Sequence, residues 1–180
     1  MKKISTLLFL ALGAVVMAQE SYTLSDTSAM TIDGSSSLHD WTVTANTMQG
    51  TLTENGQNIS AVEFSVAVAD ILSDRAKAMD KKMHEALKKE EHPKVTFTVE
   101  GAAVAIGDEQ ELNGTLTIAG VEQQVGIPAT ITQDTQTLRV KGERKIALKD
   151  YGIKPPTAMF GSIVVGDEVT VKFDLVFEKA

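Results

Sequence analysis

From Tyr22 onward, apolar and polar residues alternate with a period of two, the pattern of strands with one wet face and one dry face. Trp41, Val43 and Ala45 alternate with Thr42 and Thr44, and Val62, Phe64, Val66 and Val68 alternate with Glu63, Ser65 and small Ala67. The same rhythm sets Val95, Phe97 and Val99 against Thr96 and Thr98, and Leu116 and Ile118 against Thr115 and Thr117. The closing run places Val169, Val171, Phe173, Leu175 and Phe177 on one parity. Between these runs stand turn formers: Asp33-Gly34, Glu54-Asn55-Gly56, Gly107-Asp108, Asn113-Gly114, Ala119-Gly120 and Gly166-Asp167. Such short intervals predict hairpins, not crossovers, and so an all-β, antiparallel fold of about eight strands.

One segment breaks the rhythm. From Ser73 to Glu91 the residues are helix formers, and Leu72, Ala76, Met79, Met83 and Leu87 recur at spacings of three and four. They predict one amphipathic helix from about Ser73 to Lys89, capped by Ser73 and stopped by His92-Pro93. A single helix cannot cover both faces of a long parallel sheet, which argues against βαβ architectures. Whether the strands close into a barrel or stack as a sandwich stays open at this level. Only 5% of residues are aromatic. The dry faces are mainly small aliphatics, which suits a hollow interior but also builds ordinary sandwich cores.

The N-terminus is different in kind. Met1-Lys2-Lys3 precedes an uncharged apolar run from Ile4 to Ala18, and polar sequence resumes at Gln19-Glu20. This predicts a signal peptide over residues 1–18, cleaved after Ala18, because the run is shorter than the ~20 residues of a spanning helix. Residues 19–180 then form one domain, large enough to bury its core unaided, with no integral membrane segment after cleavage. There is no Cys, so an exported chain carries neither a disulfide nor a thiol to be misoxidised. Loss of Lys2 and Lys3 leaves 15 basic against 24 acidic residues, a net charge of −9. That balance argues against nucleic acid as a partner.

Chemistry-bearing residues are few. Ser35-Ser36-Ser37-Leu38-His39-Asp40-Trp41 gathers Ser, His and Asp. In an extended strand, however, Asp40 faces away from His39 and cannot orient it, and no Gly-x-Ser-x-Gly elbow exists. His39, His84 and His92 lack the close spacing that offers two imidazoles to one metal. His84 and His92 read as exposed polar positions, and no catalytic residue, metal or cofactor is predicted. Met79, Met83 and Leu87 read as core or as a flexible lid. The loop from Tyr151 to Gly161, which carries Met159 and Phe160, either caps the core or touches a ligand.

Taken in order, His39-Asp40-Trp41, Met79-Asp80-Lys81-Lys82-Met83, Ala86-Leu87-Lys88 and His92-Pro93-Lys94-Val95-Thr96-Phe97 resemble the YceI-like family, lipocalin-like polyisoprenoid-binding proteins of the bacterial envelope. The resemblance continues through Gly114–Val121, Tyr151-Gly152-Ile153 and Gly166-Asp167-Glu168-Val169. Where better-known members open the helical segment with Arg-Asp-x-His-Leu, this chain reads Asp74-Arg75-Ala76-Lys77-Ala78-Met79-Asp80. The resemblance implies a barrel holding an amphiphilic lipid with an isoprenoid-like tail, without catalysis, in a periplasmic or secreted setting. Its lining is then expected on the more apolar parity: Trp41 and Val43, Phe64, Val66 and Val68, Phe97, Leu116 and Ile118, Ile127, Val171, Phe173 and Leu175. His39, Arg75 and Arg144 are the expected head-group contacts, and Met79, Met83, Leu87, Met159 and Phe160 the expected lid. Two other readings stay open from the residues alone: an exported hydrolase or metal-dependent enzyme using His39, and a filled barrel serving as an interaction module.

Overall fold

A computed structural model describes residues 19–74, 77–158 and 161–180. The strands are β1 (Gln19–Leu24), β2 (Ala29–Ser36), β3 (Trp41–Ala45), β4 (Met48–Asn55), β5 (Asn58–Ala67), β6 (Ile71–Leu72), β7 (Lys94–Val99), β8 (Val104–Ala105), β9 (Gly107–Ile118), β10 (Val121–Gln133), β11 (Thr137–Ala147), β12 (Thr157–Ala158) and β13 (Ile163–Lys179). Among the described residues one α-helix, α1 (Lys77–Ala86), interrupts them. All pairings are antiparallel. The order β1-β4-β5-β7-β9-β10-β11-β13 returns to β1 through Tyr22↔Lys179 and Leu24↔Phe177, which closes an eight-stranded barrel. Closure abolishes the sheet edges that an open sandwich would leave.

Three wall strands are long and kinked. Both β1 and β2 pair with β13, and β3 and β4 run antiparallel to them, with β5 and β6 next in turn. At the first kink the Ser28 hydroxyl substitutes for the ladder, accepting from the Val176 N–H at 3.0 Å and donating to the Val176 carbonyl. One end of the barrel carries the β4–β5 and β10–β11 hairpins. The other carries the β2–β3 and β9–β10 hairpins together with α1.

Several turn dipeptides lie inside strands instead. Asp33-Gly34 is in β2, Asn113-Gly114 in β9 and Gly166-Asp167 in β13, where the register against β2 shifts between Val165 and Val169. Gly34 and Gly114 are there because aromatic rings lie over them. A Cβ on Gly34 would come within 2.1 Å of the Trp41 ring, and one on Gly114 within 2.9 Å of Phe97 and 2.3 Å of the Thr98 carbonyl. Gly142 stands in the same way beneath Phe173, and Gly50 beside Phe64 and Phe177. All four glycines occupy the inward parity of their strands. The rings therefore lie down along the wall instead of filling the lumen.

The helix is shorter than its periodicity predicts. Lys88 adopts a left-handed conformation, φ 54°. Lys89 N–H returns to the His84 carbonyl and Lys88 N–H to that of Glu85, at 2.9 and 3.0 Å. This is a Schellman closure, and it stops the helix several residues before Pro93. At the other end, the Ser73 backbone N–H donates to the buried Asp80 carboxylate at 2.9 Å, so the helix reaches back to hold the segment that leads into it.

The hairpin end is packed solid. Tyr22, Leu52, Ile59, Val99, Ile131, Leu138 and Phe177 are each no more than 1% exposed. Among them sits a polar knot that the sequence does not announce. Tyr22 Oη donates to Glu54 at 2.9 Å, and Gln133 Nε2 donates to the same Glu54 oxygen at 2.8 Å and to Tyr22 Oη at 3.3 Å. Burial pushes the Tyr22 phenol up to about 12; the Gln133 contact opposes this and Glu54 adds to it. A phenol whose pKa is higher folded than unfolded stabilises the fold fully below pH ~10 and loses that contribution as pH rises through the folded value. Wild-type protein is expected to lose about 2 to 3 kcal/mol more stability between pH 9 and pH 12 than Tyr22→Phe does. Urea denaturation at both pH values measures this, and equal losses would show that the phenol is not held neutral by the fold.

Candidate functional site

Above the packed end the barrel is hollow. A cavity of about 730 Å³ runs from Leu52 and Phe177 to a mouth bounded by the β2–β3 hairpin, α1, and Pro156, Thr157, Ile163 and Val165. This is within the usual range for small-molecule sites, and the cavity is lined chiefly by aliphatic and aromatic side chains. Trp41, Phe97 and Phe173, which border it, lie against the wall at Gly34, Gly114 and Gly142.

The structure brings most of the sequence-derived lining together. Trp41, Val43, Phe64, Val66, Phe97, Leu116, Ile118, Ile127, Val171, Phe173 and Leu175 all border the cavity. Val68 does not, although it is only 1% exposed. The alternation of β5 ends at Ala67, and a 3-10 turn over Val68–Asp70 rotates Val68 out of the inward parity. Its backbone N–H donates to the Pro93 carbonyl at 2.9 Å. Sequence reasoning missed Met30 and Ile32 of β2, Leu112 of β9, Val140 and Ile146 of β11, and Ile153. For Leu112, Val140 and Ile146 the signal was present but diluted by the polar residues of long strands. Met30 and Ile32 were masked by reading Asp33-Gly34 as a turn.

Polar groups are few and lie toward the mouth. His39 is in the β2–β3 turn, not in a strand: its backbone N–H donates to Ser36 Oγ at 3.2 Å and its carbonyl accepts from the Ser36 N–H at 3.0 Å. The His39 ring borders the mouth, and Nδ1 donates to the Asp40 carbonyl at 2.8 Å, leaving Nε2 toward its surroundings. The ring thus meets a carbonyl, not a carboxylate, and the orienting acid of a catalytic triad is not supplied by its neighbour. Trp41 Nε1 donates to the Ser35 carbonyl at 2.9 Å, which fixes the indole over Gly34.

Arg144 is the cation on the cavity wall proper. It occupies the inward parity of β11 beside Val171 of β13, and its Nη1 donates to the Gly126 carbonyl. Among the described residues that carbonyl is its one hydrogen-bond partner. A guanidinium has five N–H donors, so Arg144 retains donors for an acidic group in the cavity. Arg75, Met159 and Phe160 lie outside the described residues.

Met79, Met83, Ala86 and Leu87 border the cavity, Leu87 from the turn after the helix. Lys82 Nζ donates to the Thr157 carbonyl at 2.5 Å, tying α1 to β12 across the mouth. Leu38 and Met79, 66% and 37% exposed, mark the rim. The two remaining histidines are not simply exposed polar positions. His84 Nε2 meets the Ile71 carbonyl at 2.9 Å, and the His92 ring packs where a Cβ of Gly120 would stand, 2.4 Å from its Nε2. Both are partly buried because the inserted helical segment folds back onto β6 and the β9–β10 hairpin. Among the described residues, no three His, Cys, Asp or Glu side chains gather as a metal site would need.

A closed, lipocalin-like antiparallel barrel with a blind apolar cavity and a helix at its mouth is the class of protein that this geometry defines. The YceI-like domain matches residues 22–177, and the chain belongs to that family. Solved structures agree in fold. BcnA of Burkholderia cenocepacia superposes with a TM-score of 0.70 at 20% identity, covering 83% of this chain and 95% of its own. A polyisoprenoid binding domain from Saccharophagus degradans, implicated in plant cell wall breakdown, gives 0.71 at 16% identity, covering 89% and 99%. The YceI protein of Campylobacter jejuni gives 0.60 at 13% identity, covering 100% and 99%. Among curated protein sequences nothing matches the chain.

Proposed function

We propose that the protein binds an amphiphilic lipid with an isoprenoid-like tail inside the barrel and sequesters or carries it through the cell envelope without catalysing a reaction. The observation that carries this reading is the cavity itself: a lumen of about 730 Å³, walled by aliphatic side chains and flattened rings, blind at one end and open at the other. Transfer of such a tail from water is worth ~0.8 kcal/mol per methylene, so affinity needs little polar recognition. The family supports the reading, as does the polyisoprenoid-binding name of the Saccharophagus degradans domain. The envelope setting rests on the signal-like residues 1–18 and the absence of Cys.

In this reading the tail fills the lumen and the head group lies toward Arg144, with His39 nearer the rim. Native mass spectrometry of protein purified from its own host without detergent should show a mass excess that extracts into organic solvent. A ligand-free spectrum would sink the proposal. The head-group assignment has its own test, because the chain's one tryptophan, Trp41, borders the cavity and reports occupancy by its fluorescence. Arg144→Met is expected to weaken binding of farnesyl phosphate about 10- to 100-fold, the worth of a charge-assisted hydrogen bond, and to leave farnesol nearly unchanged. Equal effects on both probes would place the head group elsewhere.

A further inference from the structure

The cavity ends abruptly. Leu52 and Phe177 border it and are 0% and 1% exposed, yet Tyr22, Ile59, Ile131 and Leu138, equally buried just behind them, do not border it. In register, Leu52 pairs with Tyr22 and Phe177 with both Leu24 and Leu138, so the two side chains stand on the strands that flank β1 at the barrel's closure. The Phe177 ring reaches across to β4, where a Cβ on Gly50 would meet its Cε1 at 3.3 Å. Behind this pair the Tyr22, Glu54 and Gln133 knot ties β1, β4 and β10 together through side chains. Close-packed interiors of this kind do not open to admit another methylene without displacing side chains from their rotamers.

We infer that the packed end is a floor that sets the longest tail the protein accepts, and that Leu52 and Phe177 are its specificity-determining residues. The inference rests on the lipid-binding reading above and deepens it. It names the ligand class as linear prenyl chains up to a defined length, with that length set by the depth of the cavity whatever head group lies toward Arg144. Below that length every added isoprene unit is buried and tightens binding. Beyond it the extra units stay at the mouth in water, or the chain must fold back against a wall already covered by rings. Affinity should then stop rising at one chain length, and the position of that break should follow the depth of the floor.

The test is a series of all-trans prenols (geraniol, farnesol, geranylgeraniol, then longer polyprenols) titrated against the delipidated protein and read by Trp41 fluorescence. Affinity should rise about tenfold or more per unit among the short members and then level off. Phe177→Ala deepens the cavity and should move the break to a longer prenol. Val62→Phe, which adds bulk on the wall beside Leu52, should move it to a shorter one. Val62 borders the cavity, so this second variant carries the test alone if Phe177→Ala does not fold. Affinity that climbs without a break, or a break unmoved in the folded variants, overturns the floor while leaving lipid binding intact. Failure of every prenol to bind overturns both.

Discussion

Val66→Trp is expected to fold, to remain soluble and to lose its bound lipid, with affinity for a long prenol falling about a hundredfold or more. Val66 sits on β5 closer to the mouth than Val62, pairs in register with Met48 and Val95, and is 4% exposed while bordering the cavity. An indole there has one place to go, the lumen, because both lateral neighbours are strands. The displaced tail atoms number several methylenes, and at ~0.8 kcal/mol each their loss amounts to ~3 kcal/mol. The variant's own stability is the discriminating readout. In a core already at protein density the same substitution costs ~1 to 3 kcal/mol of folding free energy. A hollow barrel absorbs it with little change in the urea midpoint of the delipidated protein. A destabilised variant would therefore support the filled-barrel alternative, and a stable variant that still carries lipid would mean that the tail does not pass Val66.

The elements of this fold were legible in proportion to how local their causes are. Period-two alternation is a property of a few consecutive residues, so Trp41 and Val43, or Phe97 with its threonine neighbours, could be placed on the inward face before any partner strand was known. The same parity breaks down at Val68, where a 3-10 turn changes the period, and parity carries no warning of that. Glycine was misread for a related reason. Asp33-Gly34 and Asn113-Gly114 have turn composition, but their glycines serve rings on adjacent strands. That demand arises across the sheet and leaves no mark in the neighbouring sequence.

The site follows the same division. Its apolar lining is the sum of many local parities and was largely readable, whereas its boundaries are not. Glu54 looked like part of a turn, and nothing near it points to Tyr22, 32 residues away, or to Gln133, 79 residues away. Yet these three side chains help to close one end of the lumen. Arg144 was named beside Arg75 and His39 as an expected head-group contact, with nothing in the sequence to rank it above Arg75. Only register, which seats it beside Val171 and over the Gly126 carbonyl, makes it the cation inside the wall. Family resemblance supplied the choice of barrel over sandwich, which alternation had left open.

Two leucines should separate the packed end from the hollow one. Leu138 is 0% exposed and lies away from the cavity, while Leu112 is 4% exposed and borders it. Truncating either to alanine removes the same atoms from water-free surroundings, so the transfer part of the cost is similar. The difference lies in what is left behind. At Leu138 the neighbours Phe177 and Val140 are held by barrel closure and cannot collapse, so a new void appears and its cost adds to the transfer term. Leu138→Ala is therefore expected to destabilise the delipidated protein by about 4 to 5 kcal/mol, the upper part of the range for buried leucine. At Leu112 the side chain already faces empty space on one side and has fewer contacts to lose. Leu112→Ala should cost about 2 to 3 kcal/mol. Urea denaturation of both variants after organic extraction measures the gap directly. Adding back a prenol should stabilise wild type and Leu138→Ala alike through binding to the native state, since Leu138 does not touch the lumen, and should stabilise Leu112→Ala less. Equal costs at the two positions would show a barrel packed to one density throughout, and the lumen would then have no room for a tail.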